Sequence, residues 1–183
     1  MSQYVSRGGE KLAHALKEFN LSVKDKICAD LGCSTGGFTD CLLQNGATKV
    51  YSVDTGYGVL DWKLRNDQRV VVKERTNALY LELPELMDFI SIDASWTKQK
   101  LIMPKALDLL KADGDIVSLL KPQYEADKTW LAKGKVKPEF LEATIEKVKA
   151  DLKSLNIRIT KIIESPILGE KGANKEYLIW IKP

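Results

Sequence analysis

At 183 residues and 20.5 kDa the chain is long enough to bury a proper core as one domain, with no need of disulfide or metal staples. Hydrophobic residues at 44% and charged ones at 29% are ordinary for a soluble globular protein; the longest apolar run, Ile116 to Leu120, is far too short to span a bilayer and the N-terminus has no secretory apolar stretch, so the expected compartment is the cytoplasm, with no membrane partner. A net charge of +3 tilts only weakly towards anionic partners and would not by itself point to nucleic acid.

In chain order, Leu12, Ala15, Leu16 and Phe19 have the i, i+3, i+4, i+7 spacing of a helix packed on a core. Lys26 to Leu31 reads as a strand that turns through a glycine-rich loop into a helix from Phe38 to Asn45. Strands follow at Lys49–Asp54, Val70–Glu74, Phe89–Asp93 and Asp115–Lys121, with a helix from about Lys98 to Lys111 between the last two. Short apolar strands alternating with helices predict a mostly parallel α/β sheet covered on both faces. Pro138 opens an amphipathic helix to Leu155, with Phe140, Leu141, Ile145, Val148 and Leu152 on one stripe. Ile157–Glu164 and Glu176–Lys182 then read as two strands joined by a Gly- and Pro-containing connection, Ser165 to Lys175, so the last of seven strands should run antiparallel.

Cys28, Cys33 and Cys41 cannot all pair with one another, and with the single His14 they fall short of a zinc site. Reduced thiols in or near the core are expected, and no metal.

The sharpest local motif is Asp30-Leu31-Gly32-Cys33-Ser34-Thr35-Gly36-Gly37-Phe38, where the first strand turns into a helix. Glycines there permit tight backbone geometry and close approach of a ligand. A dinucleotide fingerprint would have glycine where Ser34 stands, and that glycine serves contact with a pyrophosphate. Its absence suits a nucleoside ligand without one, such as S-adenosylmethionine. Asp54 ends the second strand 22 residues past Gly32, placed to accept hydrogen bonds from ribose hydroxyls. Asp30 is placed either to face the methionine amino group or to brace the loop, and Asn77 lies near an adenine or serves as a polar turn residue.

The pattern Tyr4-Val5-Ser6-Arg7-Gly8-Gly9-Glu10-Lys11-Leu12 resembles the opening of the methyltransferase domain of the TlyA-type, or hemolysin A, family. Further segments resemble that family in order and at compatible spacing: Asp30–Leu43, Val53–Gly58, Glu74–Asn77, Lys121–Glu125 and Ser165–Ile167. The resemblance implies a Rossmann-like S-adenosylmethionine-dependent methyltransferase fold. It also implies a cofactor site of Asp30, Gly32, Cys33, Ser34, Thr35, Gly36, Gly37, Phe38, Asp54, Thr55, Thr76, Asn77 and Asp93. The family is similar to FtsJ/RrmJ ribose 2′-O-methyltransferases, whose Lys-Asp-Lys-Glu tetrad carries onto Lys11, Asp93, Lys121 and Glu176.

The implied reaction methylates a ribose 2′-hydroxyl of ribosomal RNA, at a cytidine. A ribose hydroxyl is a poor nucleophile, so Lys121 is the candidate base, Lys11 a second cation, and the two carboxylates orient them. The family normally carries a small RNA-binding domain before the motif at Tyr4; this chain opens almost at the motif, so residues 1–183 are expected to form a single methyltransferase domain without it. RNA contacts are expected from Arg7 and from Lys128, Lys133, Lys135 and Lys137, with Trp130 to stack a base. Three alternatives stand beside this reading: a membrane-lysing protein, a small-molecule methyltransferase on the same fold, and a non-catalytic module that only binds the cofactor.

Overall fold

A computed structural model describes residues 3–169 and 174–183. Helix α1 (Gly8–Glu18) leads into β1 (Ile27–Leu31), α2 (Gly37–Gln44), β2 (Lys49–Val53), the one-turn α3 (Trp62–Arg65) and β3 (Val70–Lys73). A 3₁₀ turn at Ala78–Tyr80 precedes β4 (Met87–Ile92), α4 (Gln99–Asp108), β5 (Leu110–Leu120) and α5 (Pro122–Glu125). A small ribbon of β6 (Leu131–Ala132) and β7 (Lys135–Val136), helix α6 (Leu141–Ser154) and the strands β8 (Ile159–Glu164) and β9 (Tyr177–Ile181) complete the chain. Seven strands lie side by side in the order β3-β2-β1-β4-β5-β9-β8. Those from β1 to β5 pair in parallel, and β9 runs antiparallel to both β5 and β8, as the patterning predicted.

The central strands β1, β2 and β4 and the second half of β5 are buried on both faces, which is why they read as near-continuous apolar runs rather than as alternating ones. Successive side chains point to opposite faces: Cys28, Val50 and Phe89 join Leu12, Ala15, Leu16 and Leu42 in one core layer, whereas Ala29, Tyr51 and Ile90 join Ile102, Met103, Val148 and Leu152 in the other. The three cysteines are free and buried, and burial pushes the thiols of Cys28 and Cys41 up to about 12, so they behave as small apolar residues.

Besides short helical turns such as α3, Ala78–Tyr80 and α5, the elements differ from expectation in three larger ways. Helix α4 ends at Asp108 and β5 starts at Leu110, earlier than Asp115. Leu109 and Leu110 are buried, and Leu110 pairs with Met87 before the register shifts to Phe89–Asp115, so residues 111–114 bulge out of the strand. The amphipathic segment from Pro138 begins as a 3₁₀ turn and becomes α-helical only at Leu141. The ribbon β6–β7 was not expected; its two pairs, Leu131–Val136 and Ala132–Lys135, close through Lys133 and Gly134, both at positive φ, 50° and 78°. Part of the expected connection from Ser165 to Lys175, residues 170–173, lies outside the described residues.

Candidate active site

The strand order reverses between β1 and β4, and in open α/β sheets that reversal leaves a crevice at the carboxyl edge. Gly32, Asp54, Asp93 and Lys121 are each the first residue after β1, β2, β4 and β5 respectively, so four of the expected site residues reach one edge by topology alone. Glu176 immediately precedes the antiparallel β9 and so arrives at the same edge. The cleft there has two lobes that share Gly32, Ser34, Asp93, Ser95 and Trp96. One, of about 250 Å³, is lined among others by Arg7, Lys11, Lys121, Gln123, Tyr124 and Glu176. The other, of about 300 Å³, is lined by Asp54, Thr55, Thr76, Asn77 and Ile102 among others.

All four tetrad residues line the first lobe. Lys11, in the first turn of α1, is buried and donates from Nζ to Glu176 Oε2 at 2.6 Å, across 165 residues of sequence. Glu176 is itself buried, and each charge is tolerated there because the other neutralises it. Lys121 Nζ lies 2.5 Å from Asp93 Oδ1 and donates to Ser95 Oγ at 3.2 Å. Two ammonium–carboxylate pairs thus face a single small cavity, and the chemistry this permits is deprotonation and orientation of a polar group between them.

The glycine loop is built for close approach. Gly32 has φ +87°, and a β-carbon there would sit 2.7 Å from the carbonyl oxygen of Asp93, so only glycine lets β1 and β4 deliver their ends to one point. Gly36 has φ +103° and its missing β-carbon would strike Leu60 and Leu64. Gly36→Ala should therefore destabilise the fold by about 1–3 kcal/mol through left-handed strain alone and weaken S-adenosylmethionine binding with it. An unchanged denaturation midpoint would contradict this account of the loop.

Asp54 braces the loop and still faces the second lobe. Its Oδ2 accepts from Ser34 N–H at 2.9 Å and its Oδ1 from Gly56 N–H at 2.7 Å. A carboxylate has about four lone-pair sites, so acceptor capacity remains for ribose hydroxyls. Asn77 caps the 3₁₀ turn, its Oδ1 accepting from Leu79 N–H at 3.0 Å, and lines the same lobe. Gly32, Cys33, Ser34, Thr35, Gly37 and Phe38 line the first lobe, whereas Thr55 and Thr76 line the second.

Two expected cofactor residues stand elsewhere. Asp30 lines neither lobe: it is fully buried and accepts from Thr39 Oγ1 at 2.8 Å and Ser91 Oγ at 3.1 Å, which is the bracing alternative. Burial pushes its carboxyl up to about 7, against the pull of those two hydroxyl donors. Gly36 also lines neither lobe and acts through its packing on Leu60 and Leu64.

Of the residues expected to meet RNA, only Arg7 lines the cleft. Lys128, Lys133 and Lys135 are exposed on the ribbon and the turn before it. The ring of Trp130 differs from the expected open stacking surface: it is half-buried and lies flat on Phe140, centroids 5.2 Å apart and planes at 3°. Sequence reasoning missed Ser95, Trp96, Gln123 and Tyr124 as lining residues. Trp96 has φ +65° and its exposed ring meets Tyr124 at 4.8 Å. The available signal was position, since Ser95 and Trp96 follow Asp93 directly and Gln123 and Tyr124 sit inside the Lys121–Glu125 motif.

A family model described as FtsJ-like methyltransferase matches residues 4–182. YqxC of Bacillus subtilis, provisionally named an rRNA methyltransferase, is 46% identical over 97% of this chain and 65% of its own length. The chain thus spans just under two thirds of that relative. TlyA of Mycobacterium tuberculosis, named a 16S/23S rRNA (cytidine-2′-O)-methyltransferase, is 40% identical over 98% of this chain and 68% of its own. A solved structure from Streptococcus thermophilus, provisionally named a hemolysin, matches with a TM-score of 0.93 at 42% identity, covering 99% of this chain and 67% of that one.

Proposed function

Because the chain belongs to the FtsJ-like methyltransferase family, we propose that it transfers a methyl group from S-adenosylmethionine to a ribose 2′-hydroxyl of ribosomal RNA, at a cytidine, in the compartment that holds ribosomes. The observation that carries this reading is the pairing of Lys11 with Glu176 and of Lys121 with Asp93 around one lobe. An acidic phenol or thiol would need no such assembly to ionise, and a module that only held a nucleoside would need no buried lysine beside it.

The residues present fit the methyl donor. Gly32 and Ser34 at the junction of the lobes, with Asp54 and Asn77 in the second, offer the close backbone and the acceptors that an adenosyl amino acid requires. Bound there, S-adenosylmethionine supplies a methyl group already activated on sulfur. The work left to the protein is to align the 2′-oxygen and remove its proton. Lys121 Nζ, once its own ammonium proton has passed to solvent through the open cleft, is the proposed acceptor of the hydroxyl proton as the O–H bond breaks, the 2′-oxygen takes the methyl group and the donor is left as a neutral thioether. Lys11 brings a second positive charge to the lobe, where negative charge develops on the 2′-oxygen, and a fixed charge in a small cavity needs no reorganisation at that moment. Asp93 and Glu176 hold the two lysine side chains in place, and alignment itself contributes much of the rate. Arg7 at the cleft and Lys128, Lys133 and Lys135 outside it are proposed to meet phosphates.

Among the described residues no helix is long and apolar enough to cross a membrane, so no spanning helix supports the membrane-lysing alternative. The test is transfer of label from S-adenosylmethionine to purified ribosomal subunits, followed by nucleoside mapping. We expect the label as 2′-O-methylcytidine. Label on a base, or on a small molecule in preference to RNA, overturns the reading.

A further inference from the structure

The solvent-exposed aromatic rings of this protein are not scattered over its surface. Among the described residues four large aromatics stand far out into solvent: Tyr57 at 71%, Trp62 at 76%, Tyr80 at 81% and Trp96 at 80%. Tyr57 and Trp62 follow the carboxyl end of β2, Tyr80 that of β3 and Trp96 that of β4. All four therefore share one edge of the sheet, the edge that carries the cleft. Exposed large apolar groups gathered beside a site mark recognition surfaces rather than accidents of packing.

Trp96 borders the lobes themselves; the other three line neither lobe and follow β2 and β3, on the Asp54 side. Tyr57 and Trp62 stand on a firmly built segment that packs on one core layer through Leu60 and Leu64, and Tyr80 on the Asn77-capped 3₁₀ turn that packs on the other. Gly58 N–H donates to Glu74 Oε1 at 2.9 Å, Arg65 pairs with the same carboxylate, and Arg75 N–H donates to Gly56 O at 3.0 Å. The Arg75 guanidinium then lies 4.3 Å from the centre of the Tyr57 ring. Asp61 N–H donates to Thr35 O at 3.0 Å, and Leu60 and Leu64 pack beneath Gly36, which fixes the platform to the glycine loop.

The chemistry of this surface selects the partner. Cations stand among the exposed rings, Arg75 over Tyr57 and Lys63 next in sequence to Trp62, its ammonium 3.5 Å from Asp40 Oδ1; Val59 is exposed between Tyr57 and Trp62, with exposed Thr55, Gly58 and Asn66 around them. Rings that stand in solvent with cations beside them suit unpaired bases and their phosphates, because every base has a face to stack and every phosphate a charge to meet. Tyr57, Val59 and Trp62 make a small apolar set beside cations, less than the apolar core that a docked protein buries.

We propose that Tyr57, Trp62 and Tyr80 form a stacking platform for unpaired nucleotides flanking the methylated one, so that the RNA strand crosses the Asp54 side of the cleft on its way to the tetrad lobe. This rests on the RNA methyltransferase reading, and the test separates the two. Trp62→Ala/Tyr80→Ala removes two exposed rings that line neither lobe, so S-adenosylmethionine affinity and thermal midpoint should stay as in the parent. Binding of a short unpaired RNA oligonucleotide, followed by fluorescence anisotropy, should weaken by at least roughly tenfold, while Trp62→Phe/Tyr80→Phe should recover most of the loss. The parent should also prefer the unpaired strand to the same strand in a full duplex. Equal affinity of parent and alanine variant, no recovery with phenylalanine, a preference for duplex, or no binding of the unpaired strand overturns the platform. If the parent methylates subunit ribose while the alanine variant does so with unchanged KM, the platform alone fails; if the parent methylates no ribose, the functional reading fails.

Discussion

Replacing Lys121 by alanine should slow methyl transfer by roughly 10²–10⁴-fold, the range over which a positioned proton acceptor contributes. S-adenosylmethionine affinity should change little, because the glycine loop and Asp54 form their contacts without Lys121. The ammonium is 2.5 Å from Asp93, so alanine leaves a carboxylate without its partner. Asp93 Oδ1 is itself buried, but both residues line the cleft, so truncation to alanine opens that oxygen to water, which can take up the charge, and the fold should survive. Lys121→Arg separates two roles that alanine cannot. Arginine keeps the charge but stays protonated, so it can hold Asp93 and yet accept nothing. Single-turnover transfer should therefore be nearly as slow with arginine as with alanine. Recovery of most of the rate with arginine would mean that Lys121 acts through charge alone, and the proposed base would be lost.

Some of this site was legible in the sequence, for reasons that differ from residue to residue. The glycine loop was, because Gly32 and Gly36 meet a local backbone demand, positive φ and no room for a β-carbon, that other residues do not satisfy. Asp54 was, because an acid directly after an apolar strand, about twenty residues past the glycine turn, is brought by the parallel topology to the ligand edge; Asp93 and Lys121 end strands at that edge too, but were singled out only through family resemblance. The Lys11–Glu176 pair was reached only through family resemblance. The two lie at opposite ends of the chain, and no local periodicity announces a contact across 165 residues. Asp30 shows the limit of the strand-end rule: its sequence setting is like that of Asp54, yet its side chain points into the core towards Thr39 and Ser91. The start of β5 was misplaced because Leu109 and Leu110 continue a helical apolar pattern equally well, and only their pairing beside Met87 decides. The ribbon escaped notice because two-residue strands carry too few side chains to show a pattern.

Asp30 carries the second large expected effect, on stability and not on rate. Its carboxyl is fully buried and raised from an ordinary value of 3.8 to about 7, burial outweighing the hydroxyl donors of Thr39 and Ser91. In the unfolded chain the same group ionises near its ordinary value, so the folded state holds this proton over a wider pH range. Below about pH 4 the group is protonated in both states and imposes no penalty. As pH rises from about 4 to about 7 the unfolded chain releases the proton first, and stability falls. Above about pH 7 both states are ionised and the full penalty, roughly 4 kcal/mol, is present. Asp30→Asn keeps the shape, an acceptor and a donor, but cannot ionise. Relative to the parent, the variant should therefore gain stability steadily between pH 4 and pH 8, by a total on the order of 4 kcal/mol. Paired urea denaturations of the two proteins across that range isolate the effect, since every other titrating group is common to both. A difference between them that stays flat with pH would show that Asp30 ionises in the fold as it does in water, and that its burial beside Thr39 and Ser91 does not govern its charge.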